Sequence, residues 1–162
     1  DMRAQAAPFD KFHYPRIAQL TQRSNQFNLR TVRYTESEIE ALADDGNHIT
    51  RYYCLQDKYG DYGLISVVIM DKKEEDTLFI SEWLMSCRVL KRGMEDFITN
   101  DIIRTAEENG CRRVIGEYIP TPQNAMVADL YERMGFEKRE GYYIADVSTY
   151  KMHETTITEE EK

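Results

Sequence analysis

The chain has 162 residues, of which 41% are hydrophobic and 31% charged, with a formal net charge of −8 at pH 7. This balance describes one folded domain with room for a core, and it disfavours both a disordered chain and a general nucleic-acid binder. No apolar run approaches the ~18 residues of a membrane span. The N-terminus DMRAQAAPFDKFHYP lacks a basic stretch followed by an apolar core, so a cytoplasmic protein is expected. Cys54, Cys87 and Cys111 are odd in number and lack metal-ligand spacing, which predicts reduced, buried thiols, Cys87 included. His13, His48 and His153 are scattered, and no metal site is expected.

Residues 1–14 are polar and interrupted by proline, and read as a lead-in. Pro15 suits the first turn of a helix that faces Ile17, Leu20 and Thr21 inward. The amide-rich stretch 24–29 is unsuited to continuing it. Residues 31–34 form a short strand candidate. Thr35 and Glu38 are spaced as a capping box, and the helix they open ends at Asp44-Asp45-Gly46-Asn47. Strands are predicted over 50–56 and 62–70, joined as a hairpin across Lys58-Tyr59-Gly60-Asp61.

The central stretch runs from residue 78 to 109. Its β-rich segment 79–87 has an apolar run suited to a strand buried on both faces. After Gly93, a 3.6-residue stripe of Met94, Phe97, Ile98, Ile102, Ile103 and Ala106 predicts a helix, closed by Asn109-Gly110. A glycine at a strand-to-helix turn exposes backbone N–H groups to an anion. Arg88, Lys91 and Arg92 around that turn, with Arg112 and Arg113 opening the next strand, make a cationic mouth suited to one anionic ligand. A solvated charge run is the alternative. Glu95 and Asp96 place negative charge in the helix's first turn, against a phosphate there. A strand over 113–119 stops at Pro120-Thr121-Pro122. A helix over 124–134 carries Met126, Val127, Leu130 and Tyr131 on one face, and a last strand spans 141–150. The tail 151–162 is expected to be disordered. The order β-α-β-β-β-α-β-α-β, with a helix in front, predicts an α/β (α+β) fold, a mixed, mostly antiparallel sheet with helices on both faces.

Two stretches carry a resemblance. Residues 124–136, NAMVADLYERMGF, resemble the closing helix of the GNAT superfamily of N-acetyltransferases, which reads Asn-x-x-Ala-x-x-Leu-Tyr-x-x-x-Gly-Phe; Val127 replaces the alanine. Residues 15–39, PRIAQLTQRSNQFNLRTVRYTESEI, with WLMSCRVLKRGME and PFDKF, resemble the C-terminal domain of FkbH-like proteins. The resemblance implies a lead-in and helix over 1–29 and a GNAT-like domain over 30–150. It also implies an upstream haloacid-dehalogenase-type domain in the full protein and an acyl carrier protein as partner. The Asp-x-Asp-x-Thr/Val loop of that upstream chemistry does not occur in this sequence.

GNAT enzymes hold the coenzyme A pyrophosphate with Arg/Gln-x-x-Gly-x-Gly/Ala. With Gly93 at the first glycine, Leu90 and Glu95 stand at two altered positions. The resemblance thus implies cofactor contacts from Leu90, Lys91, Arg92, Gly93 and Met94, with Asn124 near the pantetheine arm; Arg88, just past the strand end, is a further candidate phosphate contact, a structural salt bridge being the alternative. It makes Tyr131 the candidate acid for a departing thiolate, a helix aromatic packing its ring into the core being the alternative. Glu82 and Glu117 are the carboxylates available as base where the strands should splay, ion-paired strand carboxylates being the alternative. Two functions are expected on these grounds. One is acyl transfer from a coenzyme A or carrier-protein thioester to a small amine or hydroxyl. The other is an accessory module that binds a phosphopantetheine arm or docks a carrier protein.

Overall fold

The computed structural model describes residues 1–160. In chain order it comprises β1 (Arg3–Ala7), α1 (Tyr14–Arg23), α2 (Glu36–Asp44), β2 (His48–Asp57), β3 (Gly60–Glu74), β4 (Thr77–Met85), α3 (Met94–Glu108), β5 (Arg113–Gly116), α4 (Leu130–Arg133), β6 (Glu137–Arg139), β7 (Tyr142–Asp146) and β8 (Thr158–Glu159). These strands form one sheet in the order β6-β7-β5-β4-β3-β2-β1-β8. The β4–β5 and β1–β8 pairs are parallel and the other pairs antiparallel. The fold is therefore the α+β, mostly antiparallel arrangement that the element order predicts.

Strand alternation sorts side chains to the two faces of the sheet. Tyr52, Val67, Ile69 and Leu84 pack under α1 and α2 with Ile17, Leu20 and Ile39. Tyr53, Val68, Ile80 and Trp83 pack under α3 and α4 with Ile98, Ile102, Leu130 and Tyr131. Both helical predictions with capping logic are found as expected. Thr35 and Glu38 form the reciprocal capping box of α2, and Gly110 has the left-handed φ of 73° just past α3. Arg51 on β2 forks onto Asp101 of α3 at 2.9 and 3.0 Å, and Tyr53 donates to the same carboxylate at 2.7 Å. That buried cluster fixes α3 across the central strands.

Several expected elements differ. The lead-in contains β1, whose Arg3–Ala7 pairs with β2 residues 52–56. Alanines favour strands weakly, and the unpaired β2 edge supplies the drive. Residues 31–34 are not a strand: the Asn28 Oδ1 accepts from the Arg30 and Thr31 N–H groups, and Thr31 takes φ 55°. This is a side-chain-directed turn. The helix expected over 124–134 is a 3-10 turn (Ala125–Val127) followed by the single turn of α4, which leaves Met126 exposed. The last strand is a hairpin, β6–β7, turning through Glu140 and Gly141 at φ 51° and 87°.

The tail expected to be disordered is held along its described length, and its residues 161–162 lie outside the described residues. Asn100 of α3 exchanges two side-chain hydrogen bonds with the His153 backbone, each 2.9 Å. Ile157 is buried in the core, and β8 lies beside β1 through Thr158 N–H to Met2 O and Glu160 N–H to Ala4 O. Ile157→Ala should therefore lower unfolding stability by about 2 kcal/mol, toward the low end for a buried isoleucine at a sheet margin. Urea denaturation reads this directly, and an unchanged midpoint would mean that the tail does not dock.

Candidate functional site

β4 and β5 stay paired for three residues only, Thr77–Phe79 with Arg113–Ile115. A bulge at Ser81 then bends β4, shown by the register jump from Ile80 opposite Met70 to Glu82 opposite Ile69. β5 ends at Gly116 while β4 runs on to Met85. The two strands open a wedge, as the sequence reading expects. Left alone, the β4 edge in this wedge would carry unpaired backbone donors and acceptors.

Residues 27–29 occupy that edge. Leu29 donates its N–H to Trp83 O, and Met85 donates to Phe27 O, both at 3.0 Å, making an antiparallel bridge between Asn28 and Leu84. On its other side Leu29 O accepts from Ile119 N–H at 2.8 Å. Asn124 Nδ2 donates to Asn28 O at 2.8 Å and to Ile119 O at 3.0 Å. Phe27, Asn28, Leu29 and Asn124 are all buried. This strap takes the position of a short strand between β4 and the chain that follows β5.

The candidate chemical groups sit against the strap. Glu82 is fully buried, on the α1–α2 face opposite Trp83, and accepts from Val32 N–H at 2.8 Å and Trp83 N–H at 2.9 Å. Burial pushes its carboxyl up to about 7, against the backbone N–H groups of Val32, Trp83 and Arg30 and the charge of Arg30. Arg30 crosses the wedge, donating to the bulge carbonyl of Ser81 at 2.7 Å and to Glu117 at 3.0 Å. Glu117, the residue after β5, is thus ion-paired rather than free. Tyr131 packs its ring on Trp83, Phe136 and Tyr143. Among the described residues its hydroxyl has no hydrogen-bond partner. Burial, with the Glu82 charge adding to it, holds this phenol far above its ordinary range. Gly116 lets the Tyr131 ring meet the end of β5, since a Cβ there would lie 2.4 Å from the ring.

The expected phosphate turn is only partly available. Gly93 caps α3 with φ 84°, and Lys91 is exposed with φ 66°. Arg92 is ion-paired to Asp57 and stacks over Tyr62. Met94 is fully buried and Leu90 packs on the core. Asp96, in the first turn, holds His153 Nδ1 at 3.1 Å. Cys87 is exposed, contrary to the expected burial, because it lies in a 3-10 turn (Cys87–Val89) beyond the end of β4. Arg88 remains without a carboxylate partner among the described residues, its guanidinium donating to Tyr62 O at 3.3 Å. Two arginines that the sequence reading did not select, Arg16 and Arg23, share a cleft with it at the wedge mouth. Their seven-residue spacing, two turns on one helix face, was the available signal. The strap itself was visible only as an amide-rich break in α1.

The bulged central strand, the β4–β5 wedge and the helices on both faces define the GNAT N-acetyltransferase fold. The spermidine N-acetyltransferase from Vibrio cholerae, solved with CoA and spermine, matches with a TM-score of 0.68 at 12% identity, over 91% of this chain and 98% of that one. The GNAT domain of S. lividans PAT gives 0.65 at 15%, over 87% and 89%. The ribosomal-protein-S18-alanine N-acetyltransferase from Escherichia coli gives 0.61 at 14%, over 87% and 90%. No protein-family model matches the sequence, and no curated protein matches it significantly. No helix among the described residues is long and apolar enough to cross a membrane.

Two outcomes follow from this geometry. The Glu82 carboxyl is raised in the folded state, so between about pH 4.5 and 7 the native protein binds more protons than the unfolded chain, and stability falls as pH rises through that window. The loss should approach about 3 kcal/mol, because each tenfold change in proton affinity is worth about 1.4 kcal/mol. Glu82→Gln should flatten this slope in denaturation curves taken at pH 5, 6, 7 and 8; an unchanged slope would place the titration elsewhere. Gly116→Ala should cost about 1–3 kcal/mol by overpacking against Tyr131, and thermal unfolding reads it.

Proposed function

We propose that this chain is an accessory module of acyl-carrier metabolism, a GNAT-fold domain that engages a phosphopantetheine-type arm or an acyl carrier protein without transferring the acyl group. The observation that carries this reading is the strap. An extended, amide-bearing arm would enter the wedge by pairing with the β4 edge, and Phe27 and Leu29 already pair with it. The altered turn supports the same reading, with Leu90 and Glu95 at two of its positions and Arg92 bound to Asp57. The resemblance to FkbH-like proteins supplies the context: an upstream haloacid-dehalogenase-type domain that would load the carrier.

A second reading is favoured by one observation. Glu82 at about 7 has the poise of a general base at neutral pH, and Tyr131 lies close enough to feel its charge. On that reading the wedge opens, a coenzyme A or carrier-protein thioester enters, Glu82 takes the acceptor's proton and Tyr131 protonates the departing thiolate. Thiol release from acetyl-coenzyme A, offered with a panel of small amines and alcohols, separates the two. The accessory reading expects release at background. Release above background would overturn it, and a fall of more than tenfold in Tyr131→Phe would then mark Tyr131 as the acid.

A further inference from the structure

At the wedge mouth, outside the strap, lies a cleft of about 780 Å³. Arg16 and Arg23 come to it from one face of α1, and Arg88 from the turn after β4. Each carries a planar guanidinium with five N–H donors. None has a carboxylate within 4.0 Å among the described residues. Arg16 donates to Gln19 Oε1 at 2.9 Å and to Leu64 O at 3.4 Å, and Arg88 to Tyr62 O, all neutral acceptors. Among the described residues the cleft lining contains no Asp or Glu. On a chain of net charge −8 this is a local concentration of arginines without an ion pair among the described residues, Asp61 and Glu160 lying in the lining of the adjoining cleft that Arg16 and Arg88 also share. Its cost is visible at Arg16, which burial and the neighbouring Arg88 and Arg23 charges shift downward. A protein that merely needed soluble arginines would keep them apart or pair them, as it does with Arg92 and Arg51.

The rest of the lining describes the body of the ligand. Asn25, whose Oδ1 accepts from Arg33, and Gln123 bring side-chain amides to the lining, and Phe27 and Met85 form an apolar floor where the strap meets the end of β4. We infer that the Arg16–Arg23–Arg88 cleft is a binding site for a phosphate monoester borne on a short amide-containing arm. The guanidiniums take the phosphate by forked hydrogen bonds. The arm lies over Phe27 and Met85 beside the lining amides. The strap is the floor of this site and need not move. The choice of arm rests on the accessory reading above; the three-arginine site itself does not.

The test is calorimetric titration of the intact chain with 4′-phosphopantetheine, pantetheine and inorganic phosphate at low ionic strength. The expected result is one site for 4′-phosphopantetheine, with at least tenfold weaker binding in Arg23→Glu and in Arg88→Glu and a steep loss on raising salt from about 50 to about 300 mM. Lys151→Glu, on an exposed lysine away from this cleft, controls for net charge and should bind as the parent does. Absence of binding, equal binding by pantetheine, equal binding by inorganic phosphate, or insensitivity to both arginine reversals would each overturn the assignment. The thiol-release assay decides the accessory reading separately, so failure of one does not imply failure of the other.

Discussion

The backbone edge of β4 beyond its bulge is the constraint around which this molecule is arranged. A central strand buried on both faces cannot leave a row of N–H and C=O groups without partners. Once β5 turns away at Gly116, something must supply them. The chain supplies them from residues 27–29, which lie far away in sequence and pair with both sides of the opening. Asn28 and Asn124 make this possible. The first turns the chain through its Oδ1, and the second ties the strap carbonyl to the segment after β5. Arg33 secures the strap's exit by donating to the Thr21 and Ser24 carbonyls at the end of α1, carbonyls a helix terminus otherwise leaves unsatisfied.

The same arrangement explains the state of the candidate catalytic groups. Glu82 follows the bulge residue, so the bend that opens the wedge also turns its carboxylate toward the strap's continuation, where Val32 N–H meets it. Arg30 compensates part of the buried charge while its guanidinium is divided between Ser81 O and Glu117. The residue between Arg30 and Val32, Thr31, takes a left-handed φ, which costs a β-branched side chain on the order of 1–3 kcal/mol. Such strain is held because the neighbours on both sides are fixed by ionic and charge-assisted contacts. Wedge closure and Glu82 burial are one structural fact seen from two faces of the sheet.

The regular parts of this architecture were legible in the sequence because each rests on a local rule. The capping box of α2, the 3.6-residue stripe of α3, its closing Gly110 and the β2–β3 hairpin all follow from short-range chemistry. Where the structure departs from these expectations, a distant partner decides. β1 is a strand because β2 lacked a neighbour, and Ile157 is ordered because the core has a place for it. The site was half legible. Glu82, Tyr131 and Asn124 lie about the wedge, whereas Arg92, expected in the cationic mouth, is bound by Asp57 from a strand 35 residues earlier. Nothing in the string RSNQFNL states that it fills an inter-strand gap; its amides signalled a helix stop, and the pairing partner lies on β4.

The closed wedge also bears on which ligands this fold can accept. The strap's backbone bonds to β4 are each worth about 0.5–1.5 kcal/mol net, no more than an arm's amides would gain in their place. An arm arriving from solution must also give up translational freedom that the tethered strap does not. Replacement at equal hydrogen bonding therefore favours the strap, and an arm could win the edge only through additional contacts, chiefly its phosphate. At the α3 turn those contacts are opposed by Glu95 and Asp96 and reduced by the Arg92–Asp57 pair. At the mouth, Arg16, Arg23 and Arg88 are in no ion pair among the described residues, and the cleft that all three share has no carboxylate among its described lining residues. The electrostatics of the molecule thus draw an anion to the outside of the strap, where it can be held without breaking the bonds that keep β4 satisfied.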